Sequence, residues 1–266
     1  MIISERHRFI LVKTRKTAGS SVELALSPYL GPGDLATPLR PEEEEMRTVA
    51  TGVRIARPLF LTRYGYPWRI KTHAPLWHAH DYLGRRHRGY RVISLCRNPW
   101  DKTVSHFFWS CREQGVKNLA FDQQRRLFRE YVRRKGPRRW PSRMLGRIPP
   151  KALDGNYSLY QVGGQPRVDF VLRFESLAQD LRALGDWLGL SPRPSLEGLT
   201  AKTGVRPQSR RHWSEFYDAS TRQLVETWSR GEIHLYGYDF HGNQPVRGGL
   251  LAGGLLAGGL LPGGLL

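Results

Sequence analysis

Short apolar runs alternate along the chain with stretches of helical spacing. Arg8–Lys13 (RFILVK) holds four consecutive apolar residues, as a strand buried on both faces would. Small and polar residues follow over Thr14–Gly19, and Ser20–Leu26 then sets Val22, Leu24, Ala25 and Leu26 at helical spacing. The same order returns at Tyr90–Cys96 (YRVISLC), which runs into Arg97-Asn98-Pro99-Trp100-Asp101. Asn98 suits an N-cap, Pro99 the first helical position and Asp101 the positive end of the dipole, which predicts a helix over Pro99–Arg112. Val168–Phe174 reads as a further strand. Helices are predicted over Phe121–Lys135, over Leu177–Leu188 with Leu177, Leu181, Leu184 and Leu188 in register, and over Ala219–Ser229. Gly31–Pro41 reads as loop, Glu42–Glu45 as the opening of a solvated helix, and Gly136–Pro150 as a basic, Pro-rich excursion. Ser191–Trp213 is a long Pro- and Arg-rich loop, and Tyr236–Phe240 a closing apolar segment.

Strands alternating with helices predict a three-layer α/β/α fold with a mostly parallel central sheet, in one domain over residues 1–247. Residues 248–266 read GGLLAGGLLAGGLLPGGLL, without a charge or a polar side chain. The nineteen residues are about long enough to span a bilayer, but eight glycines and one proline weaken any helix there. A poorly ordered low-complexity tail outside the fold is expected, with membrane or partner contact as the alternative. At the other end, the apolar run from Phe9 meets Lys13 too soon for a signal peptide or anchor, so a soluble protein is expected.

With 39% hydrophobic and 24% charged residues, a wholly disordered chain is excluded. Lys and Arg number 42 against 23 Asp and Glu, a net charge of +19 that draws anions to the surface. Cys96 and Cys111, the only two cysteines, form neither a disulfide framework nor a metal spacing, which fits a reducing, cytoplasmic compartment.

Two segments carry chemistry. In Lys13-Thr14-Arg15-Lys16-Thr17-Ala18-Gly19-Ser20-Ser21, small residues let the backbone wrap an anion at a helix start. Lys16 adds a full charge, and Thr17, Ser20 and Ser21 add hydroxyl donors. A Walker A loop places its lysine after the glycines; here the lysine comes first. In the second segment, Arg97 stands at the carboxyl end of a strand, the edge where open α/β sheets bind ligands, and Ser105 lies about two helical turns on. An arginine fork and a hydroxyl so placed can hold a phosphate. Taken singly, the first segment also fits a basic turn before a helix, and the second a capped helix with a structural arginine.

As a pair, the segments resemble the sulfotransferases that use 3′-phosphoadenosine 5′-phosphosulfate. Lys16-Thr17-Ala18-Gly19-Ser20-Ser21 is similar to their 5′-phosphosulfate loop, and Arg97 to Ser105 to their 3′-phosphate motif R-[ND]-P-x-[DE]-x-x-x-S. Arg173-Phe174-Glu175-Ser176-Leu177 resembles a later strand-to-helix segment of the type R-[YF]-E-x-L, and Tyr236-Gly237-Tyr238-Asp239-Phe240 an ending F/Y-G-Y-x-F. Arg15 departs from the pattern, since many relatives place proline before the lysine. The resemblance implies a P-loop-like sulfotransferase fold. It also implies a sulfuryl transfer to an acceptor hydroxyl or amine, of a carbohydrate or a small metabolite, with no metal. In that reading Arg15, Lys16, Thr17, Ala18, Gly19, Ser20, Ser21, Arg97 and Ser105 hold the donor, and Lys16 stabilises the leaving group. Glycan-modifying relatives carry a histidine base between the two motifs, where this chain has His73. His78 and His80 fit a solvent-facing or supporting role. Arg206, Arg210 and Arg211, in VRPQSRRHW, lie where the family closes a basic loop over the donor; surface charge is the other reading.

Three rivals remain in view. A His73–His78–His80 metal cluster lacks any thiolate or recognised zinc spacing. A P-loop-like nucleotide kinase would need a differently placed lysine and Mg²⁺ ligands. A nucleic-acid-binding protein is favoured by charge alone, and its basic residues are spread without a recognised motif.

Overall fold

The computed structural model describes residues 1–135, 155–199, 206, 211–242 and 249–250. In chain order its strands are β1 (Ile2–Ser4), β2 (Phe9–Val12), β3 (Leu35–Ala36), β4 (Arg54–Ile55), β5 (Leu59–Leu61) and β6 (Pro67–Arg69). They continue with β7 (Arg91–Cys96), β8 (Gln161–Val162), β9 (Gln165–Pro166), β10 (Phe170–Arg173) and β11 (Gly249–Leu250). The helices are α1 (Gly19–Leu26), α2 (Pro41–Glu44), α3 (Leu76–Leu83), α4 (Pro99–Ser110), α5 (Phe121–Lys135), α6 (Leu177–Leu188), α7 (Ala219–Trp228) and α8 (Arg230–Tyr236). Among the described residues, no helix is long and apolar enough to cross a membrane. Tyr236 therefore ends a helix rather than opening the expected closing segment, and Gly237, at φ 73°, turns the chain out of it.

A seven-stranded sheet runs in the order β11-β10-β7-β2-β1-β3-β4, and β5–β6 and β8–β9 form separate hairpins. At its centre β2, β7 and β10 are parallel, as are β3 and β4 farther out. But β1 is antiparallel to both β2 and β3, and β11 to β10. The expected mostly parallel sheet holds for five of the seven strands, β2, β3, β4, β7 and β10, with the correction that β1 and β11 run against them. The cause at β1 is chain length: only residues 5–8 join it to β2, enough for a hairpin and too few for a crossover. A second correction concerns the tail. Gly249 and Leu250, set outside the fold by the sequence, pair with Val171 and Phe170 as an edge strand. The expected excursion over 136–150 lies outside the described residues.

Alternation inside the apolar runs makes the layers. Ile10, Val12, Val92, Cys96 and Val171 face a core closed by side chains of α3, α4, α5, α7 and α8. Phe9, Leu11, Ile93, Leu95, Phe170 and Leu172 face the opposite core, closed by α1 and α6. The strands look uniformly apolar because both of their faces are buried. The helix after β2 therefore goes to one face of the sheet and the helix after β7, its neighbour, goes to the other. The carboxyl ends of adjacent parallel strands with diverging helices leave a crevice, where open α/β sheets take ligands.

Candidate active site

Lys13 closes β2 and turns inward. Its Nζ lies 2.7 Å from Glu23 Oε2, and the Met1 amine pairs with the other carboxylate oxygen. Burial pushes the Glu23 carboxyl up, but the two ammonium groups outweigh it and hold the pKa at about 2. The aliphatic part of Lys13 crosses Gly19 so closely that a Cβ there would sit 2.6 Å from Lys13 Cγ. Lys13 is therefore a cation of the fold. Lys16 is the cation of the loop, half-buried, with Nζ 4.5 Å from the centroid of the Trp109 ring. Arg40 and Arg112 approach the same indole at 4.2 and 4.7 Å.

The loop backbone is strained. Lys16 at φ 62° and Ala18 at φ 64° are left-handed without being glycine, a cost of about 1–2 kcal/mol each. Neighbouring bonds hold this shape. Thr14 Oγ1 donates to the Leu95 carbonyl at 2.8 Å and lies 2.7 Å from Thr17 Oγ1. Asn156, 3% exposed, grips Arg15 from both sides. The Arg15 N–H donates to Asn156 Oδ1 at 2.8 Å, and Asn156 Nδ2 donates to the Arg15 carbonyl at 3.0 Å. Ala18 caps α1 without a side-chain hydrogen bond, and Ser20 and Ser21 stand in the first turn, Ser20 buried and Ser21 half-buried. Strained residues before an uncapped helix start are the arrangement found at anion clamps.

Arg97 leaves β7 and reaches this loop. Its Nη1 donates to the Lys16 carbonyl at 3.0 Å, its Nε donates to Asp101 Oδ2 at 2.7 Å, and the guanidinium lies 3.7 Å from the Phe174 ring centroid. Asp101 also takes Arg206, at 2.8 Å from Oδ1. Burial pushes the Asp101 carboxyl up, and Arg97 and Arg206 more than offset it, so it sits below the ordinary carboxylate value. Asn98 caps α4 as expected, accepting from the N–H groups of Trp100 and Asp101 at 3.0 and 3.2 Å. Ser105, 8% exposed, lies farther along that helix.

The later segments knit the same edge together. Glu175 accepts from the Asn98 N–H at 2.6 Å and from the Tyr238 hydroxyl at 3.1 Å. Asn98 Nδ2 donates to the Asp239 carbonyl at 3.2 Å, and Phe240 packs edge-on to Trp100 and Trp213. Segments far apart in sequence thus meet where β2, β7 and β10 end.

Beside the loop opens a pocket of about 260 Å³ whose lining includes Arg15, Lys16, Lys102, His106, Tyr131 and Asn156. Lys102 pairs with the buried Glu232, and His106 Nδ1 shares a hydrogen bond with the Tyr131 hydroxyl. Asn156, Trp109, His106 and Tyr131 were missed by sequence reasoning. A signal existed only on α4, where Lys102, His106 and Trp109 recur every three to four residues as one stripe. Nothing around Asn156 announces its role.

His73 lies under the loop, its Nδ1 2.9 Å from the Lys13 carbonyl. A carbonyl only accepts, so Nδ1 carries the proton and Nε2 the lone pair. Burial lowers its pKa to about 4, with the charges of Lys13 and Arg15 adding to the effect. Of the two roles expected for His78, the solvent-facing one is overturned: it is 4% exposed and ringed by Phe60, Trp68 and Trp77. His80 stacks on His87 at 4.2 Å. The three rings have separate surroundings and do not converge as a ligand set. Of the late-loop arginines, Arg206 joins Arg97 on Asp101, whereas Arg211 pairs with Glu215 and lies over Phe121. Neither partner of Arg211 belongs to the loop or the pocket, and Arg210 lies outside the described residues. Comparison of the chain with protein-family models, curated proteins and solved structures finds no match.

Proposed function

We propose that the chain is a sulfotransferase that moves a sulfuryl group from 3′-phosphoadenosine 5′-phosphosulfate to an acceptor hydroxyl or amine of a carbohydrate or small metabolite. One observation carries the reading. The loop of residues 13–21 and the segment 97–105 meet at the ends of β2 and β7, with Arg97 bonded to the Lys16 carbonyl. A donor with a 3′-phosphate and a 5′-phosphosulfate needs two adjoining anion grips, and the meeting of these two basic segments supports that reading.

In this reading the acceptor oxygen attacks sulfur, the new S–O bond forms, and the bond from sulfur to the bridging oxygen of the 5′-phosphate breaks. Lys16 and the N–H groups at the start of α1 meet the charge that grows on that oxygen. His73 Nε2 takes the acceptor proton. Arg97 spends two of its five N–H donors on Asp101 and Lys16, which aims the rest of the fork, and Ser105 and Arg206 complete the grip on the 3′-phosphate. Arg40, Arg112 and Lys16 around one indole favour an acceptor that is itself acidic.

The test is retention on immobilised adenosine 3′,5′-bisphosphate. Elution by free bisphosphate, but not by ATP or DNA, is expected. Equal elution by ATP would favour a kinase, elution by DNA a nucleic-acid binder, and either would end the proposal. Transfer of labelled sulfate to a panel of glycans and phenols then identifies the acceptor.

A further inference from the structure

Among the described residues, eight large hydrophobic side chains are exposed, and six of them fall between Ile55 and Trp68. They sit on and beside the β5–β6 hairpin, which belongs to neither the main sheet nor the crevice. Its register pairs Leu59 with Arg69, Phe60 with Trp68 and Leu61 with Pro67. Phe60 and Trp68 turn toward His78 of α3, with ring centroids 5.6 and 5.8 Å away, and this anchors the hairpin. Leu59 and Leu61, on the other face, are 59% and 66% exposed. At the tip, the Gly65 N–H donates to the Thr62 carbonyl at 2.8 Å and the Thr62 N–H to the Tyr66 carbonyl at 2.9 Å. That tight turn holds Tyr64 and Tyr66 out at 78% and 69% exposure.

The chain that builds this apolar face is basic. From Met46 to His80 the chain has no Asp or Glu, and Arg54, Arg57, Arg63, Arg69 and Lys71 are all exposed. Among the described residues, Arg63 alone of these reaches a carboxylate, Asp81 of α3, at 3.2 Å. Phe60 packs one face of the hairpin on α3, and every residue of β6 is exposed, so the other face is left open to solvent. Exposed leucines would be idle against a sugar polymer or a nucleic acid, and a run of like charges opposes self-association. Leucines that enter the acyl boundary, tyrosines at headgroup level and arginines facing lipid phosphates form one coherent set.

We infer that the β5–β6 hairpin is a docking face for an anionic phospholipid surface. Leu59, Leu61, Tyr64 and Tyr66 insert at the interface, and Arg57 and Arg69 face the headgroups. The site is separate from the crevice, and the inference holds or fails independently of the proposed chemistry.

The experiment is sedimentation of the full chain with vesicles of phosphatidylcholine alone, or mixed with phosphatidylglycerol. Binding is expected to the mixed vesicles, weak to the neutral ones, and to fall as salt rises. The double variant Leu59→Ser/Leu61→Ser should bind about tenfold more weakly or worse. Arg57→Gln and Arg69→Gln should each lose about fivefold. All four side chains are exposed, so thermal melting should stay at the wild-type value, and sedimentation equilibrium gives the oligomeric state. Variants that bind vesicles as the wild type does would overturn the inference, since another segment, such as the Gly/Leu tail, would then carry the contact. A wild-type dimer that Leu59→Ser/Leu61→Ser dissociates, with no vesicle binding, would overturn it in favour of a second copy. Capture by an acidic polysaccharide without vesicle binding would overturn it as well.

Discussion

Replacing His73 by glutamine and by alanine separates its two jobs, holding the loop and taking a proton. The glutamine amide can still donate to the Lys13 carbonyl, as Nδ1 does at 2.9 Å, but it has no basic lone pair. A pKa lowered from 6.5 to about 4 means that the fold disfavours the charged ring by roughly 3 kcal/mol. At neutral pH the ring is therefore wholly in its base form. The acid limb of kcat/KM should fall near pH 4, not near 6.5. In kcat the limb should lie higher, because the bound anionic donor favours the imidazolium. Both variants should lower kcat by about 10²–10⁴-fold, while His73→Gln keeps wild-type affinity for the bisphosphate. Stability moves the same way. Between pH 4 and 6.5 the folded ring binds fewer protons than the unfolded one, so stability falls as pH falls through that window. His78 and His80, also lowered to about 4, share the slope, and His73→Gln should remove only its part. Proton NMR of the ring gives the titration directly. A His73 resonance titrating near 6.5, or near wild-type turnover in His73→Gln, would refute the argument.

Lys16→Ala should cut kcat by about 10²–10³-fold with the melting temperature unchanged, since Lys16 is partly exposed and lies on the loop's open side; initial rates and calorimetry check both. Asn156→Ala should cost about 1–3 kcal/mol in urea unfolding and weaken bisphosphate binding, because both bonds to the Arg15 backbone go at once. Gly19→Ala should destabilise by about 1–3 kcal/mol, as the new methyl pushes Lys13 away from Glu23. The cost of Gly19→Ala should shrink in a Lys13→Ala background, which removes the Cγ that the methyl meets, and a purely additive result would count against the contact.

The central elements were legible because each carried a signal longer than one turn or one strand. Leu177–Leu188 and Phe121–Lys135 match their predicted bounds, and β7 and α4 followed from an apolar run ending at a capping asparagine. The strands that were missed are those with nothing periodic to read. Leu35–Ala36 and Arg54–Ile55 are two residues long, and Ile2–Ser4 has a meaning only when paired with Phe9–Leu11. The reversed directions of β1 and β11 were hidden for the same reason. At the candidate site, residue types singled out two loops that the fold brings together, but not the division of labour within them. Lys13 and Lys16 look alike in sequence, and only packing sends one into the core against Glu23 and the other to the surface beside Trp109. Arg97 was read as a phosphate fork, and what the fold shows of it is a brace between two loops. Asn156 could not be foreseen, because its partner is 141 residues away.

That distance has a consequence for biosynthesis. A ribosome adding roughly 5–20 residues per second needs on the order of 7–28 s to pass from Arg15 to Asn156, the 141 residues between the partners. Until then the nascent chain can pair β1 with β2, yet its strained loop has no amide to hold it. The emerging amino-terminal portion therefore carries a basic, unset loop past the polyanionic ribosome surface. Assembly of the crevice is a late event in the life of each molecule, timed by the arrival of one side chain from the far half of the polypeptide.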